Sequence, residues 1–467
     1  MTAGRVTLPL LIAAMSLFCG CRSVPVVSSQ TTDQAPSEFQ MQVQSTHGPL
    51  TPREARAVLA NLKAEAPDGD ALARHLAIEQ TVADSPLYTS NRVRILRDGE
   101  QTFPAMFAAL HAAKRTIQLE YYIFEDVECA GEHLSELLIS KRQQGVSVSV
   151  IYDAIGSLNT PRAFLDSLQG AGIQLLEFHP INPVRAPTRF SLNDRDHRKM
   201  MIIDGELGII GGVNMSHRYQ SAALGVGSRG SEFKAAASEH WRDADLEIYG
   251  PAVAELESLF LTHWASQVDR STGVRQYYPH IDVHGSEIVR IIGSAPAHSA
   301  SRYYVTLLTA IEGARASIRM TTGYFVPTRQ EKKALEAAAR RGVDVRLMLP
   351  SLSDSGSSLA VQHSAYGELL KAGVKIYQQD SGILHSKTVV VDGVWSALGS
   401  SNVDHRSVLF NDEVDAIILG TETGTAIEQR FEDDLKAAHQ IDIQTWRHRS
   451  FGERTREVWW RLWQRFL

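Results

Sequence analysis

Two ten-residue stretches, DHRKMMIIDG from Asp196 and LHSKTVVVDG from Leu384, each set a His and a Lys two residues apart, with an Asp five residues beyond the Lys. An imidazole can attack in its neutral form or act as a general acid when protonated. A lysine ammonium supplies fixed positive charge, and a phosphate diester undergoing displacement at phosphorus gathers negative charge on its non-bridging oxygens. Two imidazoles on opposite sides of one phosphorus could divide the work. One attacks in line while the other protonates the departing alcohol and then deprotonates the incoming hydroxyl. No metal is required, and the sequence has no convincing His/Cys/Asp cluster at metal-ligand spacing. His197, Lys199, Asp204, His385, Lys387 and Asp392 are therefore the catalytic candidates, with no metal and no cofactor expected. For Asp204 and Asp392, which stand at Asp-Gly turn signals, a structural turn role competes with a direct one.

The elements that must position these residues are legible around them. The runs Met200–Ile203 and Val389–Val391 are apolar, largely β-branched, and closed by Asp-Gly, so they read as buried strands. Side chains alternate faces along a strand, which puts each His on the same face as its Lys. Such a pair must meet water, an acid or an anion, because an unpaired buried cation is too costly to keep.

The whole body repeats the pattern. NRVRIL is echoed by EIVRII, MFAALHAAKRTIQLEYYIF by LLTAIEGARASIRMTTGYF, KRQQGVSVSVIYD by ARRGVDVRLMLPS, and RDADLEI by DEVDAII. Helical stretches alternate with short β-rich runs, which predicts an α/β fold with sheets covered by helices. A unit this long is a duplicated domain and not a solenoid repeat. Two equivalent halves can pair about a pseudo-twofold axis and bring the two His-Lys entrances face to face. The first half carries an additional Pro-rich segment, His179–Asp196, which reads as a loop near the site.

The 467 residues, 43% hydrophobic and 21% charged, suffice for two domains with full cores. A net charge of −6 gives no sign of a strongly basic surface, so generic nucleic-acid binding is not expected. Arg5, the apolar run to Phe18 and the small Gly20 before Cys21 read as a lipoprotein-type signal, with Cys21 the lipidated residue. Beyond that segment only Cys129 remains, so no disulfide framework is available. Residues 23–45 are rich in Ser, Thr, Gln and Pro and read as a tether, followed by a helix opening at Thr51-Pro52. At the far end, TREVWWRLWQRFL places Val458, Trp459, Leu462, Trp463 and Phe466 on one stripe with Arg461 and Arg465 beside it, as suits a membrane surface.

The two HxKx4D motifs, each followed by Gly-Gly or Gly-Ser and an Asn, resemble the phospholipase D superfamily. Within it, GYFVPT, PSLSDSGSS, LHSKTVVVDGVWSALGSSNVDHRS and FNDEVDA are similar to bacterial cardiolipin synthases. The resemblance runs from about Asn91 to about Trp446. It implies two pseudo-symmetric phospholipase D-like α/β domains, each a mixed sheet flanked by helices, with the active site at their interface. The expected boundaries are 1–21 signal, 22–85 tether and helix, 86–285 and 286–445 the two domains, and 446–467 the C-terminal amphipathic helix.

The resemblance also implies a phosphatidyl transfer. His197 would attack one phosphatidylglycerol while His385 protonates the leaving glycerol, and His385 would then activate a second phosphatidylglycerol to give cardiolipin. The pseudo-symmetry leaves the reverse assignment of the histidines open. Asn214, Ser400 and Asn402 match phosphate-contacting positions, with Gly212 where a Ser is usual, and Asp243 and Glu413 match acids that orient the histidines. Hydrolysis by the same histidines, as in a phospholipase D or a nuclease, is the alternative, and a non-catalytic lipid binder a third. Phospholipids and a membrane surface are the expected partners, and the bacterial cell envelope, on the periplasmic side, is the expected location.

Overall fold

The computed structural model describes Val24 and residues 41–83, 85–182, 191–220, 241–268, 285–296 and 301–462. Cys21, the signal segment, most of the tether and the tail from Trp463 lie outside the described residues.

Each half contributes seven principal strands. In the first they are β1 (Leu87–Arg97), β2 (Thr116–Tyr121), β3 (Ser147–Asp153), β4 (Gln174–Phe178), β5 (Lys199–Ile203), β6 (Leu207–Gly211) and β7 (Ala244–Tyr249). The second has β8 (Glu287–Ser294), β9 (Ser317–Thr321), β10 (Asp344–Pro350), β11 (Lys375–Gln379), β12 (Thr388–Val391), β13 (Trp395–Gly399) and β14 (Asn411–Leu419). Hydrogen bonding orders the first set 4-3-2-5-6-7-1 and the second 11-10-9-12-13-14-8. β2, β3 and β4 are mutually parallel and the rest antiparallel, and the second half repeats this with β9, β10 and β11. β1 and β8 pair antiparallel, so the halves join edge to edge about the pseudo-twofold axis.

Both motif strands lie at the centre of their sheets and are wholly buried, which is what their apolar runs require. Helices cover the outer faces, and three large apolar clusters result, besides a small one of Met348, Leu384 and Phe431. One lies inside the first half, around Phe107, Leu119 and Ile209, and one inside the second, around Leu308, Leu347 and Ile417. The third is shared, with Leu246, Ile248 and Phe260 of the first half against Val289, Leu398, Val414 and Ile418 of the second. Burying that shared surface locks the halves together.

The chain before the first half is more than a tether with one helix. Helix Pro52–Glu65, with Thr51 and Glu54 forming a capping box, is followed by a second, Gly69–Ala83. Leu62, Leu72 and Leu76 of this pair belong to the second half's core. Buried Glu79 binds Arg290 at 2.7 Å and accepts from the Trp395 indole at 3.0 Å. Residues 41–83 thus form part of the folded body.

Candidate active site

Two short parallel pairings deliver the histidines. Arg195–Asp196 pairs with Asn411–Asp412, and Trp241–Arg242 with Ile383–Leu384, each joining the two halves. The His197 amide donates to the Asp412 carbonyl at 2.9 Å and the His385 amide to the Arg242 carbonyl at 2.7 Å. Both imidazoles line one cavity of about 400 Å³ together with Tyr122, Asn214, Trp241, Tyr324 and Asn402.

Each imidazole meets a carboxylate from the opposite half. His197 Nδ1 lies 3.0 Å from Glu413 Oε2, and His385 Nδ1 lies 2.6 Å from Asp243 Oδ2. With a carboxylate accepting at Nδ1, Nε2 is left for the reacting phosphorus or its leaving group. Lys199 Nζ donates to the His197 carbonyl at 2.5 Å, and Lys387 Nζ to the His385 carbonyl, with its Nζ also 2.8 Å from His385 Nδ1.

The two acids are held unequally. Glu413 accepts from Ser400 Oγ at 2.5 Å, Ser407 Oγ at 2.8 Å and Asn411 Nδ2 at 3.2 Å besides His197. Burial pushes its carboxyl up, but His197, Lys199 and the Ser400 hydroxyl outweigh this and hold it down to about 2. Asp243 accepts from the Ala244 amide, and Lys387 and His385 lower its pKa against burial. Here the neighbouring hydroxyl is Tyr219 Oη, 3.3 Å from His385 Nδ1. Gly212 stands where the second half has Ser400 because a Cβ there would fall 2.1 Å from Asp243 Oδ1.

Burial, reinforced by the lysine charges, lowers both imidazoles to about 4. Burial likewise lowers Lys199 to about 7 and Lys387 to about 8. The four groups together thus disfavour further positive charge. An anion among these four groups reverses that balance, since it favours the protonated form of each.

Asp204 and Asp392, expected among the catalytic candidates, do not join the cavity. They sit at the far ends of β5 and β12, five residues from the lysines and so roughly 16 Å away along a strand. Both adopt positive φ, 53° and 54°. The Asp204 carboxylate accepts from the amides of Lys114, Arg115 and Thr116, and that of Asp392 from those of Arg315, Ala316 and Ser317. They organise the turn and tie it to the next strand.

The cavity gathers Asn214 and Asn402, the two asparagines singled out by the resemblance. Asn214 is held by the Ile123 amide and Tyr219 Oη, whereas Asn402 Oδ1 is buried without a hydrogen-bond partner among the described residues. Ser400, matched by the resemblance to a phosphate-contacting position, is not among the cavity-lining residues, and its hydroxyl donates to Glu413 at 2.5 Å. Sequence reasoning missed Ser407 and Tyr219, although they occupy equivalent places in SNVDHRS and VNMSHRY. It also missed Asp245 and Asp415, each two residues after a dyad acid, which burial raises to about 8. Of the Pro-rich segment, residues 183–190 lie outside the described residues, and Arg195 at its end lines the cavity.

One grouping has ligand-type atoms close enough for a cation. Glu120, Asp196 and His263 bring one such atom each within 4.8 Å of one another, from places too distant in sequence to be read as a motif. Arg198 already lies 3.2 Å from Glu120, so a guanidinium supplies positive charge there.

A twice-repeated α/β unit with one His-Lys motif per half and a cavity lined by both histidines defines a phospholipase D-like protein. The family described as "Cardiolipin synthase, PLD-like domain" matches the chain twice, over residues 106–228 and 307–435. The cardiolipin synthase of Geobacillus kaustophilus is 34% identical over 385 residues, covering 82% of this chain and 74% of its own. Cardiolipin synthase 1 of Bacillus anthracis is 33% identical over 396 residues, with the same coverages. The chain belongs to the cardiolipin synthase family of phospholipase D-like proteins. The crystal structure of phosphatidylserine synthase from Haemophilus influenzae shares the fold, with a TM-score of 0.62 at 13% identity, covering 83% of this chain and 99% of that one.

Proposed function

We propose that the protein is a phosphatidyltransferase that joins two phosphatidylglycerol molecules into cardiolipin and releases glycerol. The observation that carries this is the pair of crossed dyads, His197 with Glu413 and His385 with Asp243, whose imidazoles line one cavity while Lys199 and Lys387 lie buried beside them. The better-anchored dyad suits the nucleophile, because its carboxylate stays ionised and steadies the imidazolium that forms on attack. His197 Nε2 bonds to phosphorus as the bond to the glycerol oxygen breaks, and that oxygen takes its proton from His385. His385 becomes cationic only after the phosphodiester enters, because the substrate's charge offsets that of the lysines. In the second half-reaction, His385 accepts the proton of the incoming hydroxyl, whose oxygen attacks phosphorus and breaks the N–P bond. Both histidines then return to their starting states.

Contact with the membrane is supported by the last helix, Phe451–Arg461. Glu457 is buried in an ion pair with Arg449, while Phe451, Val458, Trp459 and Leu462 are 81%, 64%, 59% and 72% exposed on the opposite side. No described helix is long and apolar enough to cross a membrane. Together with the lipidated Cys21 read from the leader, the last helix supports our reading of two membrane contacts, at the cell envelope and on the periplasmic side.

The deciding experiment incubates the purified protein with acyl-labelled phosphatidylglycerol in detergent micelles containing EDTA, beside His197→Ala and His385→Ala. Cardiolipin and glycerol from the wild type alone are expected. Phosphatidic acid as the sole product would replace transfer by hydrolysis.

A further inference from the structure

Joining two phosphatidylglycerols brings two phosphodiesters to the site, of which only one reacts. Lys199 and Lys387 serve the reacting one, and the second arrives only with the acceptor. Its hydroxyl must reach His385, and three carbons separate that hydroxyl from its own phosphate. The acceptor phosphate therefore lies a short reach from His385, toward the mouth of the cavity. The leaving glycerol of the first half-reaction carries no such group.

Among the described residues three guanidinium groups line the cavity, those of Arg195, Arg218 and Arg406. Arg195 is buried against Asp153 at 3.4 Å and donates to the carbonyls of His179, Ser191 and Asp194. Arg406 donates to the Asn193 carbonyl at 3.0 Å. Arg218 differs, because among the described residues its guanidinium donates to no protein acceptor and pairs with no carboxylate. It is exposed, with its carbon 5.5 Å from the centre of the Trp241 ring, and that ring lies 4.9 Å from the His385 ring.

The backbone that carries Arg218 is fixed to the same histidine. Ser216 caps the short turn His217–Tyr219 by accepting from the Arg218 amide, and buried Tyr219 places its hydroxyl 3.3 Å from His385 Nδ1. Arg218 thus stands on the general-acid side of the cavity, across one aromatic ring from the group that must activate the acceptor. Its planar fork of N–H donors matches the two non-bridging oxygens of a phosphodiester.

We propose that Arg218 binds the unreacting phosphodiester of the acceptor lipid, and so selects a phospholipid alcohol over glycerol or water in the second half-reaction. This rests on the transfer reaction proposed above. The arginine touches the acceptor alone, so its loss separates two activities that share every other group.

The test follows acyl-labelled phosphatidylglycerol in micelles with labelled free glycerol present. Cardiolipin formation and headgroup exchange into phosphatidylglycerol are read from the same tube for wild type, Arg218→Gln and Arg218→Lys. In Arg218→Gln, cardiolipin formation is expected to fall about tenfold or more while glycerol exchange changes less than about threefold. Arg218→Lys should recover part of the loss, because a point charge replaces the fork. Equal loss of both activities, or loss of neither, would overturn the assignment. A wild type that exchanges glycerol but makes no cardiolipin would refute the proposed synthase instead. Arg218 is then judged on soluble acceptors, by the preference for glycerophosphoglycerol over glycerol. Collapse of that preference in Arg218→Gln supports the assignment, whereas no preference in the wild type, or one that survives the substitution, overturns it. A wild type that transfers to neither acceptor removes both proposals.

Discussion

At the scale of single residues, the site is poised to acquire a proton together with its substrate. His197 and His385 lie at about 4, well below an ordinary imidazole, because burial and the adjacent lysines disfavour the cation. Both are therefore neutral near pH 7, which suits a nucleophile but not a general acid. Binding an anion between them raises these values, and proton uptake accompanies binding. Histidine NMR titrations are expected to place both rings well below pH 6 in the free protein. Saturating tungstate, a phosphate-like oxyanion, should raise at least one by a unit or more. Ordinary titration near 6.5, or no response to the anion, would remove substrate-gated protonation from the mechanism. The motif itself names both histidines and both lysines. Its aspartates illustrate the limit, for the spacing places them at turns a strand's length from the His but does not choose between a structural and a direct role.

At the scale of elements, those aspartates become the clearest structural residues of the fold. Asp392 accepts from three successive backbone amides that open β9, at a positive φ that alanine adopts poorly. Asp392→Ala should cost about 1–3 kcal/mol of stability in a denaturant titration, through amides left without an acceptor. Activity per folded molecule should hold within about twofold, and a stable but inactive variant would return Asp392 to the chemistry. The last helix gives a second prediction. Burying Trp459 and Leu462 in a headgroup layer contributes about 1.5–3 kcal/mol per side chain. Trp459→Ser with Leu462→Ser should therefore weaken cosedimentation with phosphatidylglycerol vesicles tenfold or more. Unchanged sedimentation would show that the helix does not meet the bilayer. Periodicity reveals the apolar stripe, but only packing shows that it points away from the body.

At the scale of the whole molecule, neither half owns a complete dyad, since each histidine takes its acid from the other. The N-terminal helices add to this unit through Glu79, which holds the fully buried guanidinium of Arg290. Glu79→Ala leaves that charge uncompensated and should cost about 3–5 kcal/mol in equilibrium unfolding, against about 1 kcal/mol or less if those helices were a detachable tether. The sequence by itself determined the duplicated α/β organisation, the central buried strands and the four reactive side chains, because strand periodicity and a motif repeated in register are local properties of the chain. Asp243 and Glu413 came as orienting acids from the family resemblance and not from local pattern. Tertiary structure alone decided that they cross over and that Ser400 serves Glu413. It likewise set Tyr219 and Trp241 around His385 and gave Asp204 and Asp392 their backbone-amide partners. These outcomes depend on the β1–β8 edge and the shared apolar core, which fix how two similar halves face each other, and no local pattern encodes that orientation.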